Sequence, residues 1–129
     1  MKRVLDASAL LAFLLDEPGK AVVLAAILED SVMSTVNFAE VATRYVRLGA
    51  GPQVIADLRA GLPIPLIPFD EDLAEAVALL YPVASKAGLS LADRGCLALA
   101  RRMDLPALTA DRSWAKVAAE VGVEVELIR

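Results

Sequence analysis

The chain has 129 residues, enough for one hydrophobic core and short for two, so a single domain over residues 1–129 is expected. Its hydrophobic fraction of 57% argues against disorder, and an aromatic fraction of 5% leaves a core of Leu, Val, Ala and Ile. With no histidine and one cysteine, Cys96, a Ser-His-Asp triad, a His-ligated zinc, an internal disulfide and a Cys-rich zinc cluster are all excluded, and a net charge of −4 lacks the basic footprint usual in nucleic-acid binders.

Lys2-Arg3 followed by the apolar stretch Ala7 to Leu15 is laid out like the start of a secretory leader. Asp6 interrupts the approach, however, and Asp16-Glu17-Pro18-Gly19 stands where a small-residue cleavage site would be, so secretion is not expected. No apolar run approaches the roughly 18–20 residues of a membrane span. Cys96 sits in a helical pattern and reads as a small buried hydrophobe, which fits a reduced, cytoplasmic setting.

Along the chain, Arg3-Val4-Leu5 predicts a short strand, and Ala7 to Leu15 a helix apolar on all sides, hence buried. Pro18-Gly19 breaks it before a second helix from about Lys20 to Glu29, and Val32-Met33-Ser34 is the second strand. From about Phe38 to Leu48 the pattern is amphipathic: Phe38, Val41, Ala42, Tyr45 and Leu48 form one stripe, with Glu40, Arg44 and Arg47 off it. Gly49-Ala50-Gly51-Pro52 ends that helix, and another covers about Gln53 to Arg59. The proline-studded segment 63–68 can form only an edge strand, because proline lacks the ladder N–H. Asp70 caps a helix reaching about Lys86, and Leu91 to Met103 forms the next. Pro106 to Thr109 is the fourth strand, Asp111 opens a helix through Ala119, and the alternating Glu124 to Ile128 is a second edge strand.

This βα alternation predicts an α/β fold with a central parallel sheet between helical layers. Ligands of such sheets sit beyond the carboxyl ends of the strands, where strand order reverses. If the first and fourth strands are central neighbours, with the third and fifth at the edges, the order is 3-2-1-4-5, and Asp6 and Asp111 meet in that crevice. Glu40 and Asp93, each in or near a first helical turn, can point to the same place. Converging carboxylates repel one another, and a hard divalent cation relieves that cost; oxygen-only ligation selects magnesium or manganese. Such acids also serve as ordinary helix caps: Ser90 to Asp93 and Asn37 to Glu40 both have capping-box spacing, Asn37 reads as a cap, and Glu40 can pair with Arg44 one turn on.

Four strings in order are similar to the motifs of the PIN-domain family, specifically the VapC-type toxins of bacterial toxin–antitoxin pairs. They are Val4-Leu5-Asp6-Ala7-Ser8-Ala9-Leu10, Asn37-Phe38-Ala39-Glu40-Val41, the segment Leu91 to Ala100 around Asp93, and Leu108-Thr109-Ala110-Asp111-Arg112-Ser113-Trp114. The resemblance spans nearly the whole chain. It implies a PIN-like three-layer α/β/α fold and a magnesium- or manganese-dependent endoribonuclease. By that similarity Asp6, Glu40, Asp93 and Asp111 are the site acids, with Asp6, Asp93 and Asp111 as metal ligands and Glu40 binding metal or helping deprotonate the attacking water. Ser8 and Thr109 are supporting hydroxyls, and Arg94 and Arg112, which directly follow two of the acids, are candidate RNA contacts. Arg44, Arg47, Arg101, Arg102 and Lys116 are further cations for a phosphate track. Metal-assisted in-line attack of water is implied, leaving 5′-phosphate and 3′-hydroxyl ends. The resemblance also implies an RNA substrate, a VapB-type antitoxin partner and a homodimer.

Two other readings compete. An aspartyl-phosphate phosphatase with Asp6 as nucleophile wants a second aspartate two residues on, where Ser8 stands. A non-catalytic PIN-fold or acidic-pocket signalling module does not require all four acids.

Overall fold

The computed structural model describes residues 2–129. Five short parallel strands carry the fold: β1 (Val4–Leu5), β2 (Met33–Ser34), β3 (Leu66–Ile67), β4 (Ala107–Thr109) and β5 (Val125–Leu127). The helices are α1 (Ala7–Leu14), α2 (Lys20–Leu28), α3 (Thr35–Arg47), α4 (Pro52–Ala60), α5 (Glu71–Leu79), α6 (Tyr81–Ala84), α7 (Leu91–Met103) and α8 (Ala118–Val121). None is long and apolar enough to cross a membrane.

Alternation along the strands divides the core into two layers. Val4, Val32 and Ala107 face one way, onto Leu73 and Val77 of α5, the apolar side of α7, and Trp114. Leu5, Met33 and Leu108 face the other way, onto α1, Val23 and Ala26 of α2, and Val41 of α3. Helices therefore cover both faces of the strands, as the βα alternation predicts.

The strands group as two parallel sheets, β1-β4-β5 and β2-β3, rather than one ladder in the order 3-2-1-4-5. Between β1 and β2 there is a single bridge, Val4 opposite Val32, supported by Leu5 N donating to Val32 O at 2.9 Å and Val32 N donating to Arg3 O at 3.0 Å. The contact of β1 falls on Val32, one residue ahead of the Met33–Ser34 pair that β2 offers to β3. After Leu5 the chain turns into α1, and after Ser34 into α3, so the two ladders overlap at one bridge only. Both β3 and β5 pair on one side only, and Pro65 contributes its carbonyl, not an N–H, to β2.

Several elements differ from the sequence expectation for local reasons. The Ser34 side chain accepts from Val36 N, so α3 begins at Thr35 and Asn37 lies inside the helix rather than capping it. Leu48, placed on the buried stripe by its spacing, is 65% exposed at the helix end. The long helix expected after Asp70 is three pieces: α5, α6 with Pro82 in its first turn, and a 3₁₀ turn over Ser85–Ala87. Asp111 opens a 3₁₀ turn over Arg112–Lys116, followed by the four-residue α8, rather than one α-helix.

Candidate metal centre

The carboxyl ends of β1 and β4 meet the N-termini of α1, α3 and α7, and there a cleft of about 630 Å³ opens. Asp6, Glu40, Asp93 and Asp111 all line it. One carboxylate oxygen from each of Asp6, Glu40 and Asp93 lies within 4.8 Å of the others. Asp111 is outside this set: it is exposed, and its Oδ1 accepts from Ser113 N at 2.9 Å and Ser113 Oγ at 2.7 Å. The geometry thus gathers Asp6, Glu40 and Asp93 as possible ligands and leaves Asp111 at the margin of the group.

Asp6 is the buried member and its oxygens are fully engaged. Oδ1 accepts from Ala7 N at 2.7 Å and Asn37 Nδ2 at 3.5 Å; Oδ2 accepts from Ser8 Oγ at 2.7 Å and Thr109 Oγ1 at 2.8 Å. Each hydroxyl also takes a backbone donor, Ala110 N to Ser8 Oγ at 3.0 Å and Asp111 N to Thr109 Oγ1 at 3.1 Å. The two side chains therefore fasten the β4 end to the carboxylate of the β1 end. Burial pushes the Asp6 carboxyl up to about 6; the Ser8 and Thr109 hydroxyls pull against that shift, and the charge of Asp93 adds to it.

Asp93 serves two purposes. With Ser90 it forms a reciprocal capping box on α7, Asp93 N donating to Ser90 Oγ at 3.1 Å and Ser90 N to Asp93 Oδ2 at 2.9 Å. That fixes one oxygen and leaves the other for a ligand. Burial raises its pKa, the bonds to Ser90 oppose this, and Asp111 raises it further. Glu40 stands on the exposed rim in the second turn of α3. The protein around its carboxylate, and then the charges of Asp6 and Asp93, push it up to about 7. No ion pair joins it to Arg44, and among the described residues no lysine or arginine pairs with any of the three acids.

A cluster of oxygen donors, held close and without a compensating cation, fits a hard divalent ion. The same set offers no nitrogen or sulfur ligand. Cys96 is fully buried beneath β1, its thiol pKa raised well above normal by burial and by the acids nearby, so it is an inert core residue.

Sequence reasoning missed Asn37. It is fully buried, donating from Nδ2 to Ala92 O at 3.0 Å and to Asp6 Oδ1 at 3.5 Å, and its Oδ1 has no partner. The signal was its place four residues before Val41 on the buried stripe, an odd position for an amide. Gly95 was missed too. A Cβ there would meet Val36 Cγ1 at 2.5 Å, so its hydrogen lets α7 approach α3.

Two arginines expected to contact RNA lie outside the cleft lining. Arg94 does not line the cleft; its guanidinium donates to Val77 O at 2.9 Å and lies 5.3 Å from the centre of the Tyr81 ring. Being next to Asp93 in sequence puts it about 100° away around α7. Arg112 is exposed but also outside the cleft lining. Arg101 and Arg102 are occupied elsewhere, with Val121 O at 3.4 Å and Asp70 Oδ2 at 2.9 Å.

A family profile described as the PIN domain matches residues 3–120. No match was found among curated protein sequences. Among solved structures, the DNA-bound VapBC of Salmonella typhimurium superposes with a TM-score of 0.73 at 13% identity, covering 100% of this chain and 99% of that one. FitAcB of Neisseria gonorrhoeae gives 0.72 at 23% identity, with coverage of 97% and 96%. VapC20 of Mycobacterium tuberculosis, described as a sarcin–ricin loop cleaving toxin, gives 0.71 at 15% identity, with coverage of 89% and 94%. At these identities the likeness establishes a shared fold.

Proposed function

We propose that this chain, which belongs to the PIN-domain family, is a magnesium- or manganese-dependent endoribonuclease and the toxin of a toxin–antitoxin pair. The observation that carries the nuclease reading is the close approach of Asp6, Glu40 and Asp93 in an open cleft, with no lysine or arginine paired to them among the described residues. The toxin reading draws support from the VapBC and FitAcB relatives, and RNA cleavage from the relative described as cleaving the sarcin–ricin loop. A VapB-type antitoxin, a homodimer and action in the cytoplasm complete the proposal.

Asp6 and Asp93 would hold the ion, with Glu40 beside them and Asp111 acting from the margin. When bound, a divalent ion supplies electrophilic stabilisation of the phosphodiester and acidifies a water. The chain's own groups do the rest. Ser8 and Thr109 favour the ionised form of the Asp6 carboxylate and orient it through two short hydrogen bonds. The Ser90 box fixes the rotamer of Asp93. Glu40, on the cleft rim within reach of the other two acids, is placed to take the proton of the attacking water. As the water oxygen bonds to phosphorus, the P–O3′ bond breaks and the departing 3′ oxygen takes a proton from solvent, leaving a 5′-phosphate and a 3′-hydroxyl.

Purified protein, freed of any partner, should cleave RNA with manganese and stop when EDTA is added. Asp6→Asn and Asp93→Asn should abolish cleavage while circular dichroism stays native. The reading fails if the wild-type protein leaves diverse RNAs intact with metal present, and the assigned site fails if Asp6→Asn cleaves equally well.

A further inference from the structure

Helix α3 carries more of the cleft than Glu40. Positions 40, 44 and 47 are spaced four and three residues apart and so share one face of the helix. Glu40, Arg44 and Arg47 all line the cleft, and Arg44 and Arg47 are the two basic residues among those that do. At about 1.5 Å of rise per residue, Arg44 lies ~6 Å and Arg47 ~10 Å along the axis from Glu40. Both are exposed, and neither has a carboxylate partner within the described chain. Cations at a helix C-terminus also complement its dipole, but that role places no demand on which face they occupy. Here both sit on the face that Glu40 presents to the acidic triad.

We infer that a single RNA strand runs along α3, with the scissile phosphate over Asp6, Glu40 and Asp93 and flanking phosphates on Arg44 and Arg47. This rests on the nuclease reading for the identity of the strand. It replaces Arg94 and Arg112 as backbone contacts. It also accounts for how an acidic protein holds a polyanion: carboxylate oxygens of Asp6, Glu40 and Asp93 gather within 4.8 Å of one another, and the cations of α3 lie in a row leading away from Glu40. Arginine suits the task, since its planar fork pairs with phosphate oxygens in a fixed geometry. Thr43, exposed on the same wall, donates to Ala39 O at 2.7 Å and leaves the track open.

The test compares wild type with Arg44→Ala, Arg47→Ala, the double variant and Arg112→Ala. Binding of a mixed-sequence single-stranded RNA oligonucleotide is measured by fluorescence anisotropy in EDTA over a salt series, and kcat and KM are measured in manganese. Each α3 substitution should weaken binding up to roughly fivefold. The slope of log affinity against log salt should fall by about 0.7 for each arginine removed. KM should rise with kcat nearly unchanged, manganese affinity by calorimetry should stay at the wild-type value, and Arg112→Ala should behave as wild type. A double variant with wild-type KM and salt slope overturns the inference, as does an equal loss in Arg112→Ala. The binding arm needs no cleavage, so the two readings separate. Protein that binds RNA through α3 but never cuts it loses the nuclease reading and keeps the track. Protein that cuts RNA without regard to Arg44 and Arg47 does the reverse.

Discussion

Asn37 donates to the carbonyl of Ala92 at 3.0 Å, one residue ahead of Asp93, and the same Nδ2 reaches Asp6 Oδ1 at 3.5 Å. Both partners are acceptors, so the amide orientation is settled by chemistry: only Nδ2 can face them. One buried side chain on α3 thereby spaces two acids contributed by β1 and α7. Asn37→Leu should cost about 1–3 kcal/mol of stability in denaturant unfolding, the range for stranding buried polar groups, and should weaken manganese binding. Asn37→Asp should be worse in metal-free protein, since a carboxylate would face two acceptors, and added manganese should restore part of the loss.

Gly95 sets the distance between α3 and α7. An added Cβ would lie 2.5 Å from Val36 Cγ1, and the branched valine has little freedom to turn away within a helix. Gly95→Ala should destabilise the fold by about 1–3 kcal/mol, as overpacking does. It should also loosen manganese binding by moving Asp93 away from Glu40. Adding Val36→Ala to Gly95→Ala should recover both, and thermal unfolding with calorimetric titration of manganese checks the pair. No recovery would mean the contact does not govern the spacing.

Thr109 joins the ends of β4 and β1 through its hydroxyl. Thr109→Val keeps the shape and deletes the donor to Asp6 and the acceptor for Asp111 N. A stability loss of about 1–3 kcal/mol is expected. The hydroxyl lowers the Asp6 pKa, so its loss should shift the acid limb of manganese binding to higher pH. A pH series of manganese affinities for Thr109→Val beside wild type measures that shift, and an unmoved limb would show that the hydroxyl does not tune Asp6.

The raised acids set a pH dependence of opposite sign in the metal-free and metal-bound protein. An acid whose pKa is higher folded than unfolded binds its proton more tightly when folded. Its contribution is therefore fully present below the ordinary carboxylate range and is lost as pH rises through the folded value. For Asp6 and Glu40 that window runs from about pH 4 to about pH 7. The fully buried Asp6 accounts for up to about 3 kcal/mol of it, at 1.36 kcal/mol per unit. In EDTA, Asp6→Asn should gain stability over wild type progressively across this window. With saturating manganese the order should reverse at neutral pH, because the ion stabilises the ionised acids of the wild type. Denaturant midpoints measured across pH, with and without manganese, give both slopes.

Much of this site could be read from residue order alone. Asp6 follows a strand and Asp93 sits three residues after Ser90, and such local patterns dictate strand ends and capping boxes without long-range help. The βα alternation was enough to expect parallel strands covered by helices on both faces. Which acids meet was not local. Glu40 and Asp111 are both spaced plausibly from their neighbours. Yet α3, capped by Ser34, carries Glu40 to the cleft rim beside Asp6 and Asp93, while the 3₁₀ turn after Asp111 directs that carboxylate to Ser113. Arg94 shows the same limit from the other side: adjacency to Asp93 in sequence becomes separation around a helix, and the arginines that line the cleft are Arg44 and Arg47 of α3. Sequence determined the chemistry available, an all-oxygen donor set without histidine, because composition and local pattern are properties of the chain itself. Tertiary structure decided the membership of the site, because the hydrogen of Gly95 and the amide of Asn37 act between segments that only folding brings together.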